Sequence, residues 1–197
     1  MRVLLAAGVL GVVVAATAAL AAAGPLDGAG SKVLNCAACH GAAGQSRSDA
    51  MPILAGAHPV YFKKAIQDYA SGKRLSPEME PYAKQVLVLG LDEIAAYFAA
   101  QRREPSRVKL DAAAVERGRT ASTQCAPCHG PAGKGDADKG VPDIGGQPPG
   151  YLRNQLLLFK AERRSPGDEA VTKMKALLKA VPDDTLGDLA AYYSSLR

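Results

Sequence analysis

Cys36-Ala37-Ala38-Cys39-His40-Gly41 and Cys125-Ala126-Pro127-Cys128-His129-Gly130 are the two stretches on which the fold turns. In each, two thiols three residues apart fall on one side of a helical turn, and a histidine follows directly. That spacing lets both sulfurs bond the two vinyl groups along one haem edge, while the histidine reaches the iron from its proximal face. Cys-x-x-Cys-His is the attachment signal of c-type haem. A thioredoxin-like dithiol expects a βαβ setting, and none is visible. Zinc sites built from Cys and His use other ligand spacings, and two copies in matching surroundings speak against a pair of structural disulfides. The sequence therefore predicts two covalently bound c-type haems. Cys36, Cys39, Cys125 and Cys128 are the attachment residues, and His40 and His129 the proximal iron ligands.

Working outward, the motif proves to be part of a duplicated unit. Pro52-Ile53-Leu54-Ala55-Gly56 is echoed by Pro142-Asp143-Ile144-Gly145-Gly146, and Tyr61-Phe62-Lys63 by Tyr151-Leu152-Arg153. Lys73-Arg74 returns as Arg163-Arg164, and Ala95-Ala96-Tyr97-Phe98 as Ala190-Ala191-Tyr192-Tyr193. The order is the same in both halves. The junction, Gln101 to Asp111, carries a charged run and the helix-breaking Pro105. It predicts domains over 24–104 and 105–197. Each half reads as helical: one helix into the Cys motif, a second over about Pro59–Ser71 or Pro149–Glu162, and a third over Asp92–Gln101 or Asp183–Leu196. Gly/Pro-rich loops are expected between them, and no alternating run demands a strand.

Residues 1–23 read as a secretory signal peptide: Arg2, an uncharged apolar stretch from Val3 to Leu20, then small-residue cleavage sites at Ala19-Leu20-Ala21 and Ala21-Ala22-Ala23. Export is expected whether the segment is cleaved or kept as an anchor. The 197-residue chain has a formal charge of +5, too mild to argue for nucleic acid. With no Trp and three Phe, two small domains would have lean side-chain cores, and a large buried cofactor in each would fill them. Lys134 and Lys139, in the loop after the second Cys motif, suggest that the second half presents the more basic face.

A sixth iron ligand can be sought among the methionines. Met79 and Met174 each precede their Ala-Ala-Tyr copy by 15 residues, Glu80–Ile94 and Lys175–Leu189. Thioether sulfur is a soft ligand suited to haem iron, and His/Met ligation raises the potential. Met79 and Met174 are the predicted distal ligands, with Met51 and His58 as alternatives. The carbonyls of Pro52 and Pro142 are candidates to accept the Nδ1–H of His40 and His129, a bond that fixes the ring.

With these motifs and spacings in place, the mature chain resembles the di-haem cytochrome c4 family. The resemblance implies an all-α fold of two tandem cytochrome c-like domains, each wrapped around one covalently bound haem with His/Met-ligated iron. It implies a periplasmic electron carrier without catalysis of its own. Its partners would be redox proteins, membrane respiratory complexes or a terminal oxidase, with peripheral membrane association open. The rival reading is the cytochrome subunit of a dehydrogenase such as a sulfide-oxidising flavocytochrome. Two departures stand out. Val86-Leu87-Val88-Leu89-Gly90 is unusually apolar, fit to pack on the second domain or a partner, or to lengthen a core helix. The second half also carries five more residues between Arg164 and Met174 than lie between Arg74 and Met79, which predicts a longer methionine loop.

Overall fold

The computed structural model describes residues 28–164, 167 and 169–197. The expected signal peptide, residues 1–23, lies outside the described residues. Among those described, no helix is long and apolar enough to cross a membrane.

The first half contains α1 (Ala29–Lys32), α2 (Leu34–His40), α3 (Pro59–Ala70), α4 (Met79–Leu89) and α5 (Leu91–Ala99). The second contains α6 (Ala112–Ala121), α7 (Ala126–His129), α8 (Pro149–Lys160), α9 (Glu169–Lys179) and α10 (Asp183–Ser195). Single 3-10 turns, Ala42–Gly44 and Ser122–Gln124, follow the first Cys motif and precede the second. Among the described residues there is no strand, only two isolated antiparallel bridges, Arg74 with Arg164 and Asp136 with Val141. The all-α expectation holds.

Each half builds its own core. In α3, Phe62, Ile66 and Tyr69 recur at the four- and three-residue steps of one helix face, and they bury against Ala83 and Val86 of α4 and Ile94, Ala95, Tyr97 and Phe98 of α5. Phe62 and Phe98 meet with ring centroids 5.6 Å apart. The second core joins Leu152 of α8, Leu178 of α9, Val181, and Leu186, Leu189, Ala190 and Tyr193 of α10. It is leaner. Leu156, Leu157 and Phe159 of α8 stay only partly buried at its edge, apolar surface of the kind a cofactor would cover. Helix α6 starts at Asp111, whose carboxylate accepts the Ala113 N–H at 3.1 Å. It crosses α10 so closely that only a glycine fits at Gly118.

The structure corrects the expected methionine loops. Both methionine segments are helices, α4 and α9, with the spacing of their apolar residues as the cause. Met79, Ala83 and Val86 form one helical face, as do Met174 and Leu178, with Val181 joining the same core just past the end of α9. The five extra residues of the second half, 169–173, form the first part of α9 itself, ahead of Met174. The apolar run closes α4: Val86 is buried, whereas Leu87, Val88 and Leu89 face outward, Val88 being 86% exposed. Gly90, at φ +121°, ends α4 and lets α5 begin at once.

The halves are tied by specific polar contacts. The Gln147 side chain accepts the Ile53 N–H and donates to the Ile53 carbonyl, both at 2.9 Å. Asp49 accepts from the N–H groups of Gly150 through its carboxylate, 2.7 Å, and of Tyr151 through its carbonyl, 2.9 Å. Arg103 reaches the Gly145 carbonyl at 2.6 Å and pairs with Asp143.

Candidate functional site

Each Cys-x-x-Cys-His motif folds as a short helix whose first cysteine turns inward and second outward. Cys36 is partly buried against the first core and Cys125 against the second, while Cys39 and Cys128 are exposed. None of the four is joined to another in a disulfide. Burial pushes the Cys36 and Cys125 thiols above the ordinary range. Each pair thus spans from a core edge to the surface, the placement needed by a planar group seated in the core with one edge reaching solvent. Among the described residues, no three His, Cys, Asp or Glu side chains converge as a bare metal cage.

His40 ends α2 and is 4% exposed. Its Nδ1 lies 2.9 Å from the Pro52 carbonyl, an acceptor, so Nδ1 carries the proton. Nε2 is buried with no hydrogen-bond partner. Burial favours the neutral ring, and the Pro52 bond offsets part of that effect. A neutral imidazole with one nitrogen fixed and a bare lone pair on the other is suited to bind a metal. His129 differs. Burial again lowers its pKa, and the Pro142 carbonyl stands close enough to raise it partly. Yet Nδ1 is buried outside hydrogen-bond geometry with any partner. The expected Pro52 contact is therefore present, and its Pro142 counterpart falls short of a bond. Tyr193 lies beside the His129 ring, centroids 6.4 Å apart.

Met79 opens α4 and packs, partly buried, on the core that holds Cys36; Met174, within α9, does the same on the core that holds Cys125. Met51 is partly buried and precedes Pro52, whose carbonyl faces His40 Nδ1. His58 is exposed at the start of α3. Lys134 and Lys139 are each matched by an acid, Asp143 at 3.4 Å and Asp136 at 2.7 Å, which reduces the basic face that the sequence suggested. Arg74, Arg164, Tyr61 and Tyr151 recur in the repeat with no role legible in the sequence, but the structure gathers them at the domain interface.

This donor set fits a haem in each half: two cysteines on a core rim, an adjacent histidine, its Nδ1 committed to Pro52 in the first half, and a thioether on the same core. The orphaned Nε2 of His40 is the most telling atom.

Comparison with known proteins agrees. The family described as Cytochrome c matches residues 115–197. Cytochrome c4 from Pseudomonas aeruginosa is 33% identical over 89% of this chain and 90% of its own. A protein of Stutzerimonas stutzeri named thiosulfate dehydrogenase electron acceptor is 31% identical over 86% of this chain and 82% of its own. The crystal structure of reduced recombinant cytochrome c4 from Pseudomonas stutzeri superposes with a TM-score of 0.76 at 28% identity, covering 85% of this chain and 96% of that one.

Proposed function

Since the chain belongs to the cytochrome c4 family and is an electron-transfer protein carrying two covalently bound c-type haems, we propose that it works in the periplasm. There it passes electrons between respiratory redox partners towards a terminal oxidase. The haems supply the one-electron ferric/ferrous couple.

The protein's own residues do the rest. Cys36 and Cys39 in domain 24–104, and Cys125 and Cys128 in domain 105–197, tether the group against loss. His40 and His129 would supply an imidazole ligand to each iron. The Pro52 carbonyl fixes the His40 ring and raises its basicity. Met79 and Met174 would add a thioether donor to each set, which would favour the reduced state. The single observation that carries the site assignment is the buried, unpartnered Nε2 of His40 beside its cysteine pair.

Intact mass after acid–acetone extraction tests attachment: two haems are expected to stay with the protein, and loss of either into the organic phase removes that site. Met79→His and Met174→His should each lower the potential of one haem and abolish its near-infrared sulfur-to-iron band. An unchanged spectrum in Met79→His would turn attention to Met51 or His58. A second reading makes the chain the electron-accepting partner of a dehydrogenase. The name of the Stutzerimonas stutzeri relative favours it, and co-purification of the native protein with a dehydrogenase or an oxidase decides between them.

A further inference from the structure

One buried difference between the halves lies beside the cysteine pair. Tyr193 of α10 stands where α5 has Phe98, each closing its Ala-Ala-Tyr repeat. The two rings are seated alike. The Phe98 carbonyl accepts the Gly56 N–H at 2.8 Å, and the Tyr193 carbonyl accepts the N–H of the repeat counterpart, Gly146, also at 2.8 Å. Each ring lies over an equivalent glycine. A Cβ at Gly44 would come 2.8 Å from Phe98 Cδ1, and one at Gly133 3.0 Å from Tyr193 Cδ1. Both residues are buried, and each belongs to the core against which the first cysteine of its half packs, Cys36 or Cys125. The halves therefore differ here by one hydroxyl group on a ring held in the same place.

That hydroxyl is in a buried residue, where a polar group needs a partner. Phe98 packs among rings, Phe62 and Tyr97, with centroids 5.6 and 5.3 Å away. Tyr193 has Tyr192 at 5.2 Å and the His129 ring at 6.4 Å, and its hydroxyl is hydrogen-bonded to the Cys125 side chain. The polarity of that bond is legible. Burial raises the Cys125 thiol, and the Tyr193 bond draws it back down. Burial raises the Tyr193 hydroxyl, and Cys125 pushes it up further. Both effects belong to an O–H that donates to sulfur. A cysteine joined to a haem through a thioether has no proton left to give, so its sulfur can only accept, and the same donor fits it. Hydrogen bonding around the cofactor is one of the levers by which a protein sets a haem potential.

We infer that Tyr193 tunes the second haem: its hydroxyl donates to the Cys125 sulfur, draws electron density from that edge of the macrocycle and favours the ferrous state, a lever absent from the first haem because Phe98 stands in its place. The inference rests on the haem assignment. Tyr193 acts through Cys125 and is a positioning residue, with no part in binding iron.

The test is Tyr193→Phe, which copies the first half and removes one oxygen from a ring that stays seated. Two haems by intact mass and an unchanged far-UV spectrum are required first, so failure of the haem assignment would be seen separately. Redox titration of the holoprotein is followed through the haem-methyl proton resonances, each haem being assigned by nuclear Overhauser contacts to the ring at position 98 or 193. The midpoint of the second haem should fall and that of the first should stay. Resonance Raman gives the direct signature: in the parent, one thioether C–S band should shift on transfer to heavy water, and Tyr193→Phe should abolish that response. A second-haem midpoint that is unchanged or raised, or an equal fall in both midpoints, would overturn the inference. So would a C–S band of the parent that ignores heavy water, since the hydroxyl would then not be bonded to the sulfur.

Discussion

Replacing Gly118 with alanine tests whether α6 and α10 cross in backbone contact. A Cβ at 118 would lie 2.0 Å from the Asp188 carbonyl oxygen, 2.5 Å from its carbon and 2.8 Å from Tyr192 Cβ. Non-bonded carbon atoms sit at about 3.5–4.0 Å, and a helical carbonyl cannot rotate away, so the helices themselves must part. Overpacking costs about 1–3 kcal/mol, and backbone against backbone belongs at the upper end. Alanine returns about 1 kcal/mol of helix propensity, leaving a net loss of roughly 2 kcal/mol. For a domain of this size that is a fall of roughly 8–16 °C in the Tm of the second half. Far-UV circular dichroism and the Soret band of the holoprotein report it together, because α6 leads through Ser122–Gln124 straight into Cys125. Gly187→Ala is the control on the same helix pair. Its Cβ would meet only Arg153 Nε and Cδ, at 3.8 and 3.9 Å, so it should gain up to about 1 kcal/mol from propensity. If Gly118→Ala proves as stable as Gly187→Ala, the close crossing is wrong.

Gln147→Leu leaves the Ile53 N–H and carbonyl without the partner that binds both. At about 1–3 kcal/mol for each buried polar group left unmade, the docking of the halves should weaken, measured as faster proteolysis within residues 101–111 while each half keeps its haem. Asp188 is held below the ordinary carboxylate range first by the Arg117 hydrogen bond, against desolvation and with help from the Arg117 charge. A depressed native pKa contributes stability above the unfolded value that disappears as pH falls through the native one. Parent protein should therefore lose Tm on acidification below about pH 4 more steeply than Asp188→Asn, and parallel curves would exclude the link.

Much of the site is legible in the sequence because its chemistry is local. Cys36 to His40 lie within one helix, and the duplication identifies Cys125 to His129, Tyr151 and Arg164 as counterparts without any coordinates. The spans of α3, α5, α8 and α10 follow from apolar periodicity to within a residue or two. Helices α4 and α9 escape notice because Met79-Glu80-Pro81 looks like a loop and Lys-rich α9 buries little besides Leu178. Their evidence is the recurrence of Met79, Ala83 and Val86 on one face of α4, and of Met174 and Leu178 on one face of α9. The crossed arginines are a different case. A repeat says which residues are equivalent within their halves, but not that Arg74 would reach past its own Tyr61 to Tyr151. That exchange exists only once the halves are docked.

Docking and ligation are also mechanically joined. The Pro52 carbonyl holds His40, and the very next residue, Ile53, gives both its N–H and its carbonyl to Gln147 of the other half. In the second half the Pro142 carbonyl stands beside His129, and the next residue, Asp143, receives Arg103 from the end of the first half through both its carbonyl and its carboxylate. In each half, then, the segment beside the motif histidine is also an interface segment of the pair. A flexible linker between independent domains would leave the separation of the two redox centres to diffusion. Here, in the first half, one peptide step connects the acceptor of the His40 Nδ1–H to a pair of hydrogen bonds across the boundary, so the orientation of the His40 ring is tied to the presence of the other half.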